Sequence, residues 1–101
     1  MTIVKIPFQS DMKLEMLNGT KTATSRPSKM GEIGDYFVVG GAGFQLTNVS
    51  KKPLGEICLN HYKEEGCKSS QHFIDVWSRI HYNKGFIPTW VVFFHEFRRV
   101  G

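Results

Sequence analysis

This sequence is short of several things, and each shortage closes off a class of protein. It has only two cysteines, Cys58 and Cys67. They are too few and wrongly spaced for a disulfide framework or a paired-cysteine metal site. No apolar run in the chain approaches the roughly 20 residues of a membrane-spanning helix, so no membrane partner is expected. The start, Met1-Thr2-Ile3-Val4-Lys5-Ile6, lacks the long apolar core of a secretory signal. The expectation is a cytoplasmic protein with both thiols reduced. His61, His72, His81 and His95 include no pair four residues apart, so no metal site is expected. Gly40-Gly41-Ala42-Gly43 is followed by no Lys-Ser/Thr and lacks the third glycine of a dinucleotide fingerprint. It reads as a hairpin turn, and no cofactor is implied. Linkers, repeats and low-complexity segments are absent as well.

What is present suits one small domain over residues 1–101. Apolar residues make up 41% of the chain, enough for one modest core. Thirteen basic against nine acidic side chains leave a formal charge of +4. That balance permits RNA or a nucleotide as partner without requiring one.

In chain order, Ile3 to Phe8 alternates like a half-buried strand. Ser10 and Asp11 read as the start of a short helix, with Ser10 as cap and Asp11 at the positive end of the dipole. Met12, Leu14, Met16 and Leu17 supply its apolar pairs, and Asn18-Gly19 ends it. Asp35 to Val39 and Phe44 to Val49 read as two paired strands. Leu54, Ile57 and Cys58 point inward from a short helix. Phe73, Val76, Trp77 and Ile80 recur at i, i+3, i+4 and i+7, which predicts an amphipathic helix capped by Ser69 or Ser70. Trp90 to Phe97 is apolar on both faces, the pattern of a central strand. The order predicts an α+β fold with a mainly antiparallel sheet.

One stretch has no core duty: Gly19-Thr20-Lys21-Thr22-Ala23-Thr24-Ser25-Arg26. It holds two cations and four hydroxyls, with nothing larger than Ala23 to bury. Pro27 follows and biases Arg26 toward an extended backbone. The stretch reads either as a solvated polar loop or as a site. In a regular strand Lys21 and Thr24 face opposite ways, so bringing them together requires a turn or an irregular path.

The same stretch carries a resemblance. Gly19, Lys21 and Arg26 fit the GxKxxxxR signature of ASCH domains, a branch of the PUA-like superfamily. Gly34-Asp35, Glu65-Gly66, Phe73 and the run Trp77-Ser78-Arg79-Ile80-His81 resemble further ASCH segments in the same order. The resemblance implies a small PUA-like antiparallel β-barrel with flanking short helices. One ASCH-like group comprises bacterial amidohydrolases that deacetylate N(4)-acetylcytidine with a Lys-Thr-Glu set. Lys21, Thr24 and Glu65 match those positions. By similarity, Lys21 activates Thr24 or a water, Thr24 attacks the acetyl carbonyl and Glu65 handles protons. Arg26 binds ligand or holds the pocket. The spacing between the motif and Glu65 is shorter than that group's, and the Trp77 to His81 segment is more typical of the wider ASCH set.

Two functional classes follow. In one the chain is an amidohydrolase acting on a modified pyrimidine nucleoside, with Lys21, Thr24 and Glu65 catalytic and Arg26, Thr22 and Tyr36 binding ligand. In the other it is an RNA- or nucleotide-binding module without chemistry. That module would set Lys21 and Arg26 against phosphate and stack a base on Tyr36, Trp90 or Phe94. The intact Lys-Thr-Glu set and the modest charge favour the enzyme. The sequence leaves open whether Glu65 reaches Lys21, and it does not fix the oligomeric state.

Overall fold

The computed structural model describes residues 2–101. Its elements run α1 (Ser10–Leu17), β1 (Ala23–Arg26), β2 (Tyr36–Val39), β3 (Ala42–Pro53), α2 (Leu54–Asn60), α3 (Ser70–Ile80) and β4 (Val91–Arg99). The four strands form one antiparallel sheet in the order β1-β4-β3-β2. The sheet curls into a half-barrel with three short helices packed around it, an α+β arrangement.

The predicted first strand is the main departure. Ile3 makes only an isolated parallel bridge to Tyr36, fixed by Val4 N–H donating to Tyr36 O and Tyr36 N–H donating to Thr2 O. Beyond that point Pro7 has no N–H to offer a ladder. The chain leaves the sheet edge, burying Ile6 and turning the Pro7 carbonyl toward Arg26.

α1 begins one residue early. Gln9 stands at the cap position without a side-chain bond, and Ser10 is already helical. Met12 and Met16 are buried, whereas Leu14 is exposed. Only one of the two predicted apolar pairs therefore packs. Asp11 closes on its own first turn through Met12 N–H and pairs with Arg79 of α3.

β2 and β3 form the expected hairpin. Gly40 and Gly41 have φ of +57° and +80°, the pair of positive values a two-residue primed turn demands. β3 runs longer than the alternation predicts, to Pro53, with a bulge between Leu46 and Asn48. The bulge moves an extra residue into β3 and sharpens the local twist.

β4 is central, as its two apolar faces predict, pairing with β1 on one side and β3 on the other. Val92 and Phe94 join a core of Ala23, Leu54, Ile57, Phe73, Val76 and Trp77 under α2 and α3. Phe97 joins a second core of Ile6, Met16, Phe37, Phe44 and Leu46. The Phe97 ring meets Phe37 and Phe44 edge-on at 5.4 and 5.6 Å. The Ser69 side chain caps α3 by accepting from His72 N–H. Its buried side chains, Phe73, Val76 and Trp77, contribute roughly 1.5–3 kcal/mol each. No helix among the described residues is long and apolar enough to cross a membrane.

Candidate functional site

β1 sits at one edge of the sheet. The backbone that leads into it is irregular, which resolves the facing problem between Lys21 and Thr24. Thr20 and Lys21 N–H both donate to Glu15 O, and Thr22 and Ala23 N–H both donate to Glu64 O. Regular pairing starts only at Ala23. The bent approach turns Lys21 back over β1, so that its Nζ donates to Ala23 O at 2.7 Å.

A cavity of about 310 Å³ lies between β1, the N-terminal segment, α1 and α3. Pro7, Phe8, Met12, Phe73, Val76, Trp77 and Ile80 give it apolar walls. Lys21, Thr24, Ser25, Arg26 and Glu65 give it one polar side. Four of these five are almost wholly shielded, with exposures of 3% for Lys21, 1% for Thr24, 4% for Ser25 and 5% for Glu65. Buried polar groups on this scale must satisfy one another, and they do.

Lys21 and Glu65 come together although 44 residues separate them. Besides Ala23 O, Lys21 Nζ donates to Glu65 O at 2.8 Å and approaches Glu65 Oε1 at 3.5 Å. Three oxygens thus match the three N–H bonds of an ammonium. Burial pushes the lysine below its ordinary range; Glu65 opposes this and Arg26 adds to it. The other carboxylate oxygen, Oε2, accepts from Ser25 Oγ at 2.6 Å.

Arg26 organises the rim. It donates to Thr24 Oγ1, to Ser25 O and to Pro7 O, and its guanidinium lies 4.9 Å from the Phe8 ring centre. Burial lowers its pKa, with Glu65 opposing. Thr24 Oγ1 accepts from Arg26, and Thr24 lines the cavity.

The opposite wall is aromatic. His81 stacks on Trp77 with ring centres 4.0 Å apart, and Trp90 meets both rings edge-on. The Trp77 indole N–H donates to Gly85 O, which fixes the ring. His81 is held below the ordinary histidine range by burial and by the Arg26 charge.

Lys21, Thr24, Glu65 and Arg26 therefore share one cavity. Thr22 and Tyr36 do not belong to it. Thr22 is exposed and borders a separate depression with Leu17, Asn18 and Arg98. Its side chain lies on the other side of the bent approach from the cavity that Lys21 and Thr24 line. Tyr36 lies on β2, at the far edge of the sheet from β1. Phe94 is fully buried in the core, and Trp90 backs the wall without lining the cavity. Ser25, Phe8 and His81 also line the cavity and were not singled out from the sequence. The signal for Ser25 was its place beside Thr24 in a hydroxyl-rich stretch. His81 ends the Trp77 to His81 run that resembles an ASCH segment, and Phe8 carries no local signal.

Comparison with known proteins adds the fold and nothing finer. No family model matches the sequence, and no curated protein matches it. The fold is similar to the ASCH domain from Lactobacillus crispatus JV V101, with a TM-score of 0.69 and 15% identity over 97% of this chain and 78% of that one. It is similar to the hypothetical protein PH0355, with a TM-score of 0.72 and 14% identity over 99% and 100% of the two chains. Protein EF3133 from Enterococcus faecalis V583, of family DUF984, aligns with a TM-score of 0.63 and 18% identity over 98% of this chain and 78% of its own.

Proposed function

We propose that this chain is a cytoplasmic amidohydrolase that removes an acyl group from a modified pyrimidine nucleoside such as N(4)-acetylcytidine. The observation that carries this reading is the contact sequence Ser25–Glu65–Lys21 on the polar side of an otherwise apolar cavity. It puts a hydroxyl, a carboxylate and an ammonium in contact and away from bulk water. Such a set suits proton transfer at a neutral amide. The apolar walls suit the faces of a flat heterocycle.

The roles follow from the partners. Glu65 takes the proton of the attacking oxygen and returns one to the departing exocyclic nitrogen. Lys21 fixes Glu65 and balances its charge. Thr24, fixed by Arg26, donates its hydroxyl hydrogen toward the carbonyl oxygen as negative charge develops there. Amide and water become carboxylic acid and free amine. The shielded Lys21, saturated by three oxygens, serves better as a fixed cation than as a base.

The test is hydrolysis of N(4)-acetylcytidine by the purified chain beside Lys21→Ala and Thr24→Ala. The expected result is release of cytidine and acetate, slowed roughly 10²–10⁴-fold in each variant. Absence of turnover by the folded chain rejects the reading.

A second reading, an RNA- or nucleotide-binding module without catalysis, is favoured by the aromatic wall. Lys84 Nζ lies 4.5 Å from the Trp90 ring centre, and Tyr82 beside it is 79% exposed. A base stacks on such a surface at about 1–3 kcal/mol. Tight, salt-sensitive binding of short RNA, lost in Lys84→Ala and weakened in Tyr82→Ala, would select this reading.

A further inference from the structure

We infer that Ser25, with Glu65 as its base, is the nucleophile of the cavity, and that the acyl group passes through a Ser25 ester. The assignment deepens the amide-hydrolysis reading and rests on it for the substrate. The chemistry of the hydroxyl stands on geometry alone.

A hydroxyl attacks well only when a base stands within hydrogen-bond reach. Two hydroxyls line the cavity beside its cations, Thr24 and Ser25. Ser25 Oγ donates to Glu65 Oε2 at 2.6 Å, so its proton already points at a carboxylate. Thr24 Oγ1 accepts from Arg26 and faces no base. Lys21 does not supply one, because its N–H groups are turned to Ala23 O, Glu65 O and Glu65 Oε1. The same Lys21 contact holds the Glu65 side chain in place while Oε2 serves Ser25. Ser25 and Glu65 are both nearly fully buried, which keeps the hydrogen bond between them out of bulk solvent.

The steps balance as follows. Ser25 Oγ bonds to the acyl carbon as its proton moves to Glu65 Oε2, and the carbonyl electron pair moves onto oxygen. Thr24 donates to that oxyanion. The pair returns, the carbon–nitrogen bond breaks, and Glu65 gives its proton to the leaving nitrogen. The products are the free exocyclic amine and acyl-Ser25. Water then attacks the ester as Glu65 takes one of its protons. The ester carbon–oxygen bond breaks, the proton returns to Ser25 Oγ, and the carboxylic acid leaves.

The test uses an acyl donor independent of the natural substrate. The whole chain is treated with 4-nitrophenyl acetate, quenched in acid and mapped by peptide mass spectrometry, beside Ser25→Ala, Ser25→Cys, Thr24→Ala and Glu65→Gln. The expected result is one acetyl group on Ser25, its formation slowed about 10²-fold in Glu65→Gln and still present in Thr24→Ala. In Ser25→Cys the label moves to the thiol, and in Ser25→Ala it disappears while circular dichroism shows the chain folded. A label on Thr24, no label at residue 25, or equal labelling of Ser25 in Glu65→Gln overturns the assignment. Ser25 labelling without turnover of N(4)-acetylcytidine keeps the nucleophile and removes the nucleoside reading.

Discussion

Gly66 packs against Lys21 so closely that a β-carbon on the glycine would lie 2.8 Å from Lys21 Cβ and 3.2 Å from Glu15 Cβ. Gly66 also has φ of +84°, a value that L-residues reach only at a cost of roughly 1–2 kcal/mol. Two independent reasons thus require glycine after Glu65. Gly66→Ala is expected to lower stability by at least that amount and to shift Lys21 away from Glu65. Urea denaturation reads the first effect and loss of N(4)-acetylcytidine hydrolysis the second. An alanine variant with unchanged stability would mean that the turn relaxes and that the close approach is not a constraint.

Lys21 and Glu65 form a buried ion pair, and removing one partner of such a pair leaves a charge without compensation. Lys21→Met is expected to cost about 3–5 kcal/mol. Glu65→Gln should cost less when made in the Lys21→Met background than in the parent, with a coupling of about 0.5–3 kcal/mol. Urea midpoints of the four proteins give the cycle. Strict additivity would show that the carboxylate does not feel the lysine charge.

How far the sequence could be read is clear from these same residues. The α3 stripe is legible because burial of one helix face imposes its own period: Phe73, Val76 and Trp77 are buried, whereas Ile80, the fourth member, is 43% exposed at the cavity. The strand β4 is legible from its apolar run, but its cover is uneven: Val92, Phe94, His95 and Phe97 are buried, whereas Val91 is exposed and Phe93 half-buried. Ile3 to Phe8 alternates just as well, yet only Ile3 bridges the sheet. Alternation records which side is buried, and a chain segment can bury Ile6 without joining a ladder. The Lys21–Glu65 contact was beyond local reading. It depends on the path of residues 61–67, where Glu65 N–H bonds to His61 O and Cys67 N–H to Tyr62 O. Residue type alone does not tell which of the stretch's four hydroxyls meets the carboxylate, so Ser25 does not stand out from Thr20, Thr22 and Thr24 in the sequence.

His95 makes stability depend on pH. It is fully buried. Its Nε2 accepts from Met30 N–H at 3.0 Å, so the neutral ring carries its proton on Nδ1, facing Thr24 O at 3.2 Å. Burial chiefly holds its pKa below the ordinary 6.5; Arg26 and Lys29 add to this, and the backbone bonds oppose it. A histidine with a depressed folded pKa takes up its proton more readily in the unfolded chain. Its stabilising contribution is complete above the unfolded value and is lost as pH falls through the folded one. Stability should therefore decline as pH drops below about 6.5. His95→Gln keeps a donor and an acceptor but does not titrate, so its urea midpoint should vary less between about pH 7.5 and about pH 5.5. Parallel curves for the two proteins would assign the acid sensitivity elsewhere.

The cavity's cations bear on what it can hold. Lys21 turns its ammonium to three protein oxygens, and Arg26 binds Thr24, Ser25 and Pro7. Neither is set out to meet phosphate, so an uncharged ligand fits the polar side better than an anionic one. Phosphate recognition releases counterions, and for single strands the logarithm of affinity falls with the logarithm of salt by about 0.7 per phosphate contacted. The proposed hydrolysis of neutral N(4)-acetylcytidine would make no such contact. Its kcat/KM is expected to change by less than about twofold between roughly 0.05 and 0.2 M salt, a range over which a ligand held by several phosphates loses orders of magnitude. Initial rates at subsaturating substrate across that range give the answer directly. A steep fall would mean that Lys21 or Arg26 leaves its protein partners for the ligand, and the cavity would then be an anion site.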